Sequence, residues 1–316
     1  MIVPADDYFH ERTDDPHWNE SGWFGFNVPG RSLSGFVYVN HRPNMHLSLA
    51  GFALWDPSGR HPHDCLWHDW EMHHLPDGAE MFDFSLDTGL GVECVEPQRT
   101  YRLTYKNGPC EAELTWHRFM EPHDSGVPDG WAGWGQTGHY EQGGRMTGTA
   151  RIEGETIEIN CLSMRDHSWG PRRPVSTARG DFPWAIASEN SGFLIHALSD
   201  LPRDRDPVHG TTESIQAGWY LRDGILSPLA SGEHRIVERG DDGRPLTVEI
   251  EAEDELGRSL QAEGRCANGL LFSFPYNYWW WALTEWRFDG GQGWGELQDA
   301  FNTPQLRRFM RSLKRP

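Results

Sequence analysis

Short strand-like segments separated by turn signals run along almost the whole chain. Arg42-Pro43-Asn44 separates the segments GFVYVN and HLSLAGFALW, and Asp56-Pro57-Ser58-Gly59 follows the second of them. Asn107-Gly108 lies between TYRLTY and CEAELTW, and this dipeptide is the strongest short signal for a hairpin. Glu153-Gly154-Glu155 divides MTGTARI from TIEINCLSM. The pattern predicts meandering antiparallel hairpins rather than alternating βαβ units.

The second half of the chain continues in the same way until its last residues. Turn signals occur at Glu189 to Gly192, at Arg222-Asp223-Gly224 and at Glu255-Leu256-Gly257. Near the end, Thr303 is a candidate helix cap and Pro304 suits the first helical position. Apolar residues then follow at helical spacing, namely Leu306, Phe309, Met310 and Leu313. The sequence therefore predicts a mainly β protein with a short C-terminal helix docked on it.

Length and composition agree with this fold class. A chain of 316 residues is long enough for two domains, and the Pro/Arg-rich stretch 171–179 is the best candidate boundary. We predict an N-terminal β domain over 1–172 and a C-terminal β domain over 173–316. The 16 Trp, 15 Phe and 8 Tyr residues, with 35 Gly and 21 Pro, suit many short strands joined by tight turns, and they also suit an aromatic ligand cavity.

Charge and cysteine usage exclude several classes of protein. The formal net charge of -19 disfavours nucleic acid and anionic membrane surfaces as partners. The acidic start does not read as a signal peptide, and the longest apolar run, residues 278–283, is too short for a membrane span. Five cysteines without a C-x-x-C pair predict reduced thiols, with neither a disulfide framework nor a thiolate zinc site. We expect a cytoplasmic protein and leave assembly into oligomers open.

The segment MRDHSWGPRRP, residues 164–174, concentrates acid, imidazole, indole and guanidinium groups. On a regular strand Asp166 and His167 point to opposite faces, so only one of them enters a given cavity. Asp166 falls in line with the apolar Leu162 and Met164, whereas the apolar positions before residue 162 lie on the other face, which implies a bulge or a change of packing partner. A carboxyl group among apolar neighbours has a raised pKa and can donate a proton near neutral pH.

An ion pair is the alternative interpretation of Asp166. Three arginines are near it in sequence, and a buried aspartate bound to arginine is commoner than a catalytic acid. The arginines are Arg165, Arg172 and Arg173. Periodicity alone does not separate the two roles.

Residues 138–174, GHYEQGGRMTGTARIEGETIEINCLSMRDHSWGPRRP, resemble the central signature of a lipocalin-like family. That family includes carotenoid 1,2-hydratase (hydroxyneurosporene synthase), the AttH-like proteins and, more distantly, kievitone hydratase. The H-Y-E-Q segment, a T-G-T strand, a hairpin and R-D-x-S-W-G-x-R occur in the family's order, and TEWRFDGGQGWGELQ resembles its closing strand pair. The resemblance implies two lipocalin-like antiparallel β-barrels, a ligand site near their junction, and Asp166 as the acid of a hydratase.

Further candidate site residues follow from this resemblance and from the chemistry. Protonating an alkene requires an acid in dry surroundings and aromatic faces that stabilise the cation. Besides Asp166, the candidate catalytic residues are His167, His139 and Glu141. A hydrogen-bond network at a strand edge is the alternative role for the last two, and for Glu141 it is the favoured one. The candidate substrate-binding residues are Trp169, Tyr140, Arg172, Tyr276, Tyr278 and Trp280. Core packing is the alternative role for the Trp run at 279–281.

The histidine-rich segment HPHDCLWHDWEMHH, residues 61–74, raises the question of a metal. Its spacing matches no metal-binding motif, so we predict no metal and no cofactor, and instead a His-rich loop or one histidine acting as a base at the cavity mouth. We expect an acid-base enzyme acting on a hydrophobic, isoprenoid-like or polycyclic small molecule by hydration, dehydration or cyclisation. A carrier that binds such a ligand unchanged, and a pericyclase that needs no acid, are the alternatives. Nucleotide-binding and serine-hydrolase motifs are absent.

Overall fold

The computed structural model describes most of the chain, which divides into two compact units. The described residues are 1–126, 137–173, 179–199, 212–274, 277–312 and 314. Of these, 57–64 and everything from 179 onwards belong to the second unit, and the rest belong to the first. The predicted boundary between 172 and 173 adjoins residues 174–178, which lie outside the described residues, and it stays a prediction.

The first unit is a curled antiparallel sheet in the form of a half-barrel. Its described strands are β1 (Trp18–Val28), β2 (Leu33–Arg42), β3 (Leu47–Trp55), β4 (Trp67–His74), β5 (Phe84–Ser85), β6 (Gly91–Glu96), β7 (Thr100–Asn107), β8 (Cys110–Arg118), β9 (His123–Asp124), β10 (Gly138–Ile152) and β11 (Glu155–Pro171). Their order across the sheet is β4, β3, β2, β1, β11, β10, β8, β7, β6 and β5, with β9 beside β10. The last strand of the unit thus pairs with its first, which places β11 in the middle of the sheet.

The core of the first unit follows from alternation along these strands. In β7 the side chains of Tyr101, Leu103 and Tyr105 are buried, while those between them are exposed. The early part of β11 contributes Ile157 and Ile159 to the same apolar core. Each half-buried strand therefore presents one apolar face to a common interior. Three short 3-10 helices, Pro4–Asp7, Pro29–Arg31 and Pro43–Met45, also belong to this unit.

The second unit is a closed eight-stranded antiparallel barrel. Its described strands are β12 (Gly180–Ser188), β13 (Ser191–Leu198), β14 (Thr212–Arg222), β15 (Ile225–Arg239), β16 (Pro245–Asp254), β17 (Ser259–Cys266), β18 (Leu270–Ser273), β19 (Asn277–Phe288) and β20 (Gly291–Asn302). Six strands follow one another from β12 to β17, and β20 and β19 complete the ring because β17 pairs with β19. The strand β18 pairs with β19 beside the ring.

The predicted C-terminal helix is present as α1 (Thr303–Ser312). Leu306 and Phe309 are buried against Trp280 and Phe301 of the barrel strands. Its cap differs from the prediction. Asn302 rather than Thr303 accepts the Gln305 N–H, at 3.0 Å from Oδ1, because the helix includes Thr303 in its first turn. Leu313 lies outside the described residues.

The turn signals placed the hairpins correctly, since each of the predicted turns joins two paired strands. Gly108 between β7 and β8 has a φ of 53°, and Gly154 between β10 and β11 has a φ of 91°. Such left-handed values favour glycine. All five cysteines are free thiols in the structure. No helix in the described ranges is long and apolar enough to cross a membrane.

The predicted bulge near residue 162 is wrong, and the alternative, a change of packing, is what the structure contains. The pairing of β11 with β10 runs without a register shift from Glu155 to Trp169. Before Leu162 only one face of β11 is buried, whereas both Met164 and Arg165, on opposite faces, are fully buried beyond it. The hydrophobic pattern changes because the second half of the strand is covered on both sides.

Candidate functional site

The motif at 164–174 lies on β11, between β1 and β10. Arg165 and His167 share the face of β11 that carries the apolar core of the unit, called the core face here. Asp166 lies on the opposite face, as the alternation of a strand requires. The prediction that Asp166 and His167 point to different faces is therefore confirmed, and each face of the strand has its own chemistry.

On the opposite face, Asp166 is registered with Glu141 of β10 and with Trp23 of β1. Directly paired residues of antiparallel strands have Cβ atoms about 4.5 to 5.5 Å apart, so the two carboxyl groups are neighbours. His139 of β10 is two residues from Glu141, and its Nε2 lies 2.9 Å from Glu141 Oε1. We call His139, Glu141 and Asp166 the carboxyl cluster.

Hydroxyl and guanidinium groups continue this face beyond the carboxyl cluster. The Ser125 hydroxyl donates to the other oxygen of Glu141, Oε2, at 2.5 Å. Ser168 of β11 shares a hydrogen bond of 2.8 Å with Ser21 of β1 and accepts one of 2.9 Å from Arg172 Nη2. Arg172, a predicted substrate-binding residue, is thus held at the end of the strand by a serine.

Burial dominates the electrostatics of Asp166. It raises the pKa of this carboxyl group to about 6, and the negative charge of Glu141 acts in the same direction. The positive charges of His139 and Arg172 and a backbone hydrogen bond at Trp23 oppose the shift without cancelling it. For His139 burial lowers the pKa, but Glu141 outweighs it, so the pKa of His139 is raised.

The arginines near Asp166 in sequence bind other partners. Arg165 Nη2 lies 2.8 Å from Asp7 Oδ1, and Arg173 Nη2 lies 2.9 Å from Asp15 Oδ2. An ion pair with a nearby arginine was the alternative role for Asp166. Arg165 forms its ion pair with Asp7 instead. Near neutral pH the carboxyl cluster thus combines a carboxyl group that is easily protonated with an imidazole bonded to a carboxylate. This combination can donate a proton and accept one.

The core face holds a buried network around Arg165. Its Nε donates to Gln142 Oε1 at 3.0 Å, and its Nη2 lies within 2.9 Å of the Tyr140 hydroxyl as well as contacting Asp7. Its guanidinium carbon lies 4.3 Å from the ring centre of Tyr101. Tyr140, a predicted substrate-binding residue, is a member of this network, and its hydroxyl donates to Asp7 at 2.5 Å.

A second polar group on the core face surrounds Glu20 of β1. His10 Nδ1 lies 2.9 Å and His167 Nε2 lies 3.4 Å from Glu20 Oε2, and His167 Nδ1 is 2.9 Å from the Ser21 carbonyl oxygen. Burial would raise the pKa of Glu20, but the hydrogen bonds from the two histidines lower it to about 2. Trp169 stacks on His10 with 3.8 Å between ring centres. His167 and Trp169, both predicted site residues, therefore lie with Glu20 rather than in the carboxyl cluster.

Three groups of side chains in the described residues have ligand atoms close enough for one cation within a single unit. They are His10, Glu20 and His167 in the first unit, and His61, His63, Asp64 and, separately, Asp181, Glu213, His234 in the second. In the first group the histidine rings themselves face the carboxylate. The second is exposed, with the His61 and His63 rings stacked at 5.3 Å. We assign a metal to none of them.

The third group is part of a buried charge network inside the barrel. Arg179 Nη1 lies 3.0 Å from Asp181 Oδ1 and 3.2 Å from Glu213 Oε1, and His234 Nδ1 lies 3.0 Å from Asp181 Oδ2. Burial lowers the pKa of His234, but Asp181 and Glu213 outweigh it and raise that pKa to about 9. Arg179 Nη2 also lies 2.8 Å from Asp299 Oδ1, and Asp299 has a second cationic partner in Arg239. Arg179, Arg239 and a protonated His234 therefore supply the positive charge that faces these three carboxylates.

The remaining predicted substrate-binding residues lie in the second unit. Trp280 is buried in the apolar cluster beneath α1, and Tyr278 packs against that cluster. This is the core-packing role that the sequence left open, and their role in substrate binding stays a prediction. Tyr276 lies outside the described residues.

Sequence reasoning missed Asp7, His10, Glu20 and His41, which are all on the core side of the first unit. Asp7 and Glu20 are fully buried, and burial lowers the pKa of His41 to about 4. Asp7 and His10 stand in an acidic, polar stretch with no strand pattern, and nothing local marks them as buried. The alternation in WNESGWFGF could have placed Glu20 on the face of Gly22 and Phe24, which line the core.

Comparisons with known proteins agree with the fold. A family model described as a domain of unknown function, DUF7064, matches residues 3–303. No curated protein matches the chain. An AttH protein of Nitrosomonas europaea has a similar structure, with a TM-score of 0.64 and 15% identity over 96% of its length and 94% of this chain.

Two further solved structures share this fold. Kievitone hydratase from Nectria haematococca has a TM-score of 0.58 and 12% identity, covering 96% of this chain and 93% of its own. CghA in complex with Sch210972 has a TM-score of 0.54 and 11% identity, covering 92% of this chain and 89% of its own. The resemblance to the lipocalin-like family is confirmed at the level of fold.

Proposed function

The chain belongs to the DUF7064 family, and we propose that it is an acid-base enzyme that acts on a hydrophobic small molecule without a cofactor, with Asp166 as the proton donor. The observation that carries the proposal is the position of Asp166. It lies beside Glu141 on a covered sheet face, and the neighbouring Arg165 is bound to Asp7 on the other face. Because its pKa is raised to about 6, Asp166 keeps a protonated fraction near neutral pH that an ordinary aspartate lacks, and the protonation of an alkene requires such a proton donor.

The other members of the carboxyl cluster have a role in the same reaction. When Asp166 protonates one alkene carbon, the other becomes a cation and Asp166 becomes a carboxylate. Attack by water on that cation gives an alcohol and releases a proton, which the His139–Glu141 pair accepts and passes back to Asp166. The reverse sequence is a dehydration. Attack by a second double bond of the substrate forms a ring and a new cation, and loss of a proton from that cation to the same pair gives the cyclised alkene. We propose an isoprenoid-like or polycyclic substrate because such molecules offer isolated alkenes and apolar surface.

Solved proteins of the same fold support this choice of reaction. One of them is named as a hydratase, and another was solved with the small molecule Sch210972 bound. Identities of 11 to 15% make these likenesses of fold, so the reaction rests on the carboxyl cluster itself.

The test is turnover of a panel of linear and cyclic isoprenoid alkenes, read by mass spectrometry as the gain or loss of water and, in heavy water, as deuterium on carbon. Asp166→Asn retains the shape of the side chain and removes its proton. We expect turnover to fall by roughly 10²- to 10⁴-fold while binding of the same alkene survives. Glu158→Gln is the matched control, because Glu158 is on the same face of β11 but exposed at its far end.

Two results would contradict the proposal. If Asp166→Asn folds, binds and turns over normally, Asp166 is not the acid. If the wild-type chain binds the alkenes tightly but incorporates no deuterium, the chain is a carrier, the alternative function that the sequence left open.

A further inference from the structure

The first ten residues, called the N-terminal strap here, contact the rest of the first unit through a buried carboxylate. Asp7 is the buried residue of the strap, with no exposed surface. Its neighbour Tyr8 is 40% exposed, Val3 is 44% exposed and Met1 is fully exposed. The strap therefore lies largely at the surface, packs Phe9 against the apolar core and inserts a single carboxylate into the interior of the half-barrel.

Four donors converge on that carboxylate, three from strands and one from the turn between β6 and β7. Oδ1 accepts hydrogen bonds from Tyr140, at 2.5 Å, and from Arg165 Nη2, at 2.8 Å. Oδ2 accepts from the Tyr101 hydroxyl and from the backbone N–H of Gln98. We call these four donors the carboxylate receptor. Both oxygens of the Asp7 carboxylate thus accept two hydrogen bonds each. Hydrogen bonds to an ionised carboxylate are stronger than those between neutral groups.

The carboxylate receptor is built by strands that are held in place without Asp7. Arg165 Nε donates to Gln142 Oε1, and Gln142 Nε2 donates in turn to the carbonyl oxygens of Gln98 and Met120, at 2.8 and 3.0 Å. Tyr101, Tyr140 and Arg165 belong to β7, β10 and β11, three strands of one continuous sheet. The donors are therefore pre-organised, which is the property expected of a binding site.

We propose that this receptor is a binding site for a small-molecule carboxylate and that Asp7 occupies it as an intramolecular ligand. The ligand class follows from the surroundings. Arg165 supplies one positive charge, so one negative charge balances it. Its guanidinium carbon lies 5.1 Å from the ring centre of Phe82 and 5.6 Å from that of Trp116, so the rest of the ligand meets aromatic surface. A monocarboxylate with an apolar tail fits both features.

Binding of such a ligand requires the strap to leave. Elsewhere the strap is held by hydrogen bonds and by two packed side chains. The Phe9 N–H donates to Glu80 at 3.2 Å, His10 contacts Glu20, and an exposed contact of 3.4 Å joins the chain's amino group to Asp124.

Phe9 packs against the apolar core with its ring centre 5.6 Å from that of His41, and His10 stacks on Trp169 at 3.8 Å, so these contacts also break when the strap leaves. Exchange of Asp7 for a free carboxylate leaves the charge of the interior unchanged. Release of the strap from the half-barrel would then accompany ligand binding and could be measured.

The first experiment removes the intramolecular ligand from the full-length chain. Asp7→Ala leaves Arg165 without its partner, and we expect the melting temperature to fall by about 10 °C. Sodium acetate should then raise it by about 4 °C at tenfold the acetate Kd, because a ligand of the folded state stabilises by mass action. Sodium chloride at equal ionic strength and the neutral isostere acetamide should have no such effect.

Matched variants assign the rescue to the receptor. Asp6→Ala removes the adjacent carboxylate, which lies at the surface of the strap, and should neither lower the melting temperature comparably nor respond to acetate. Asp7→Ala combined with Tyr101→Phe removes one donor and should weaken the acetate response by roughly tenfold in concentration. Asp7→Ala that folds and ignores acetate would overturn the proposal.

The second experiment uses the wild-type chain, so it holds even if Asp7→Ala fails to fold. Decanoate is the probe, and hydrogen exchange of residues 1–10 is the measurement. Decanoate should speed up this exchange by at least tenfold, and decanol, which lacks the carboxylate, should not. Exchange that stays unchanged up to the solubility limit of decanoate would show that Asp7 is a permanent anchor of the strap and would overturn the proposal. Neither experiment depends on the reaction proposed for Asp166.

Discussion

Replacing Asp166 by asparagine should make the protein more stable near pH 7. The wild-type carboxyl group has a pKa of about 6 in the fold, against an ordinary value of 3.8. Because the folded state holds the proton more tightly than the unfolded state, this group favours folding below pH 3.8. That contribution is lost as the pH rises through 6. Above pH 6 the fold contains an ionised carboxylate that burial disfavours.

The size of the effect follows from the shift. Roughly two pKa units correspond to about 3 kcal/mol between the two protonation states. Asp166 is partly accessible to water, which screens its charge, so we expect Asp166→Asn to gain about 1 to 3 kcal/mol near pH 7. Near pH 4 the wild-type group is itself neutral in the fold, and the gain should largely disappear. Such a gain in stability with a loss of turnover is typical of an active-site residue.

Urea unfolding of the wild type and of Asp166→Asn, measured from pH 4 to pH 8, checks this prediction. The quantity to compare is the difference in the free energy of unfolding, which should grow with pH through the region around 6. Glu158→Gln serves as the control and should show a small difference that does not change with pH in this way. A variant that becomes less stable relative to the wild type as the pH rises would refute the reasoning. That result is what an aspartate paired with an arginine would give.

Three other predictions concern the second unit and the absence of a metal. The raised pKa of His234 implies a contribution to stability that is present below about pH 6.5 and lost as the pH rises through 9. His234→Gln should therefore lack this loss of stability when both proteins are unfolded by urea across that pH range, and an equal loss in both would contradict the prediction. Trp280→Ala should lower the free energy of unfolding by about 3 to 5 kcal/mol, because Trp280 is buried beneath α1, and a loss below 1 kcal/mol in calorimetry would refute this packing role. Elemental analysis after dialysis against a chelator should find no stoichiometric zinc or iron, since Arg179 and the histidine rings already face the candidate carboxylates; one equivalent of either metal would overturn it.

The hairpins and the faces of β11 could be read from the sequence because both depend on local signals. A turn such as Asn107-Gly108 needs its own two residues, and alternation along one strand separates Asp166 from His167. The C-terminal helix was visible for the same reason, although its cap at Asn302 was not, because Asn302 and Thr303 are both acceptable caps by residue type. Local rules therefore located the elements and oriented the side chains on them.

Partners across the sheet were beyond those rules. Arg165 pairs with Asp7, which precedes it by 158 residues, and no periodicity links the two. From the sequence alone, the arginines nearest along the chain were the obvious partners for Asp166, because a sequence contains no information on distances across the sheet. In the fold β11 lies between β1 and β10. One of its neighbours is therefore the strand just before it in the chain, and the other is the first strand of the unit. The carboxyl cluster became visible only through the register that sets Glu141 beside Asp166.

Arg165 and Asp166 are adjacent in sequence, and the ion pair that Arg165 makes on one face of β11 is what leaves Asp166 without this arginine as a partner on the other. A strand sends consecutive side chains to opposite faces, so the guanidinium of Arg165 is directed into the core, where Asp7, the Tyr140 hydroxyl and the face of the Tyr101 ring contact it. Its charge is thereby neutralised on the face away from Asp166. If Arg165 were paired with Asp166 instead, the carboxyl would be held ionised and could not act as an acid near pH 7. The alternation of one strand thus leaves an acid with a raised pKa next to an arginine, and Asp7, at the far end of the unit's sequence, is the residue that makes this arrangement stable.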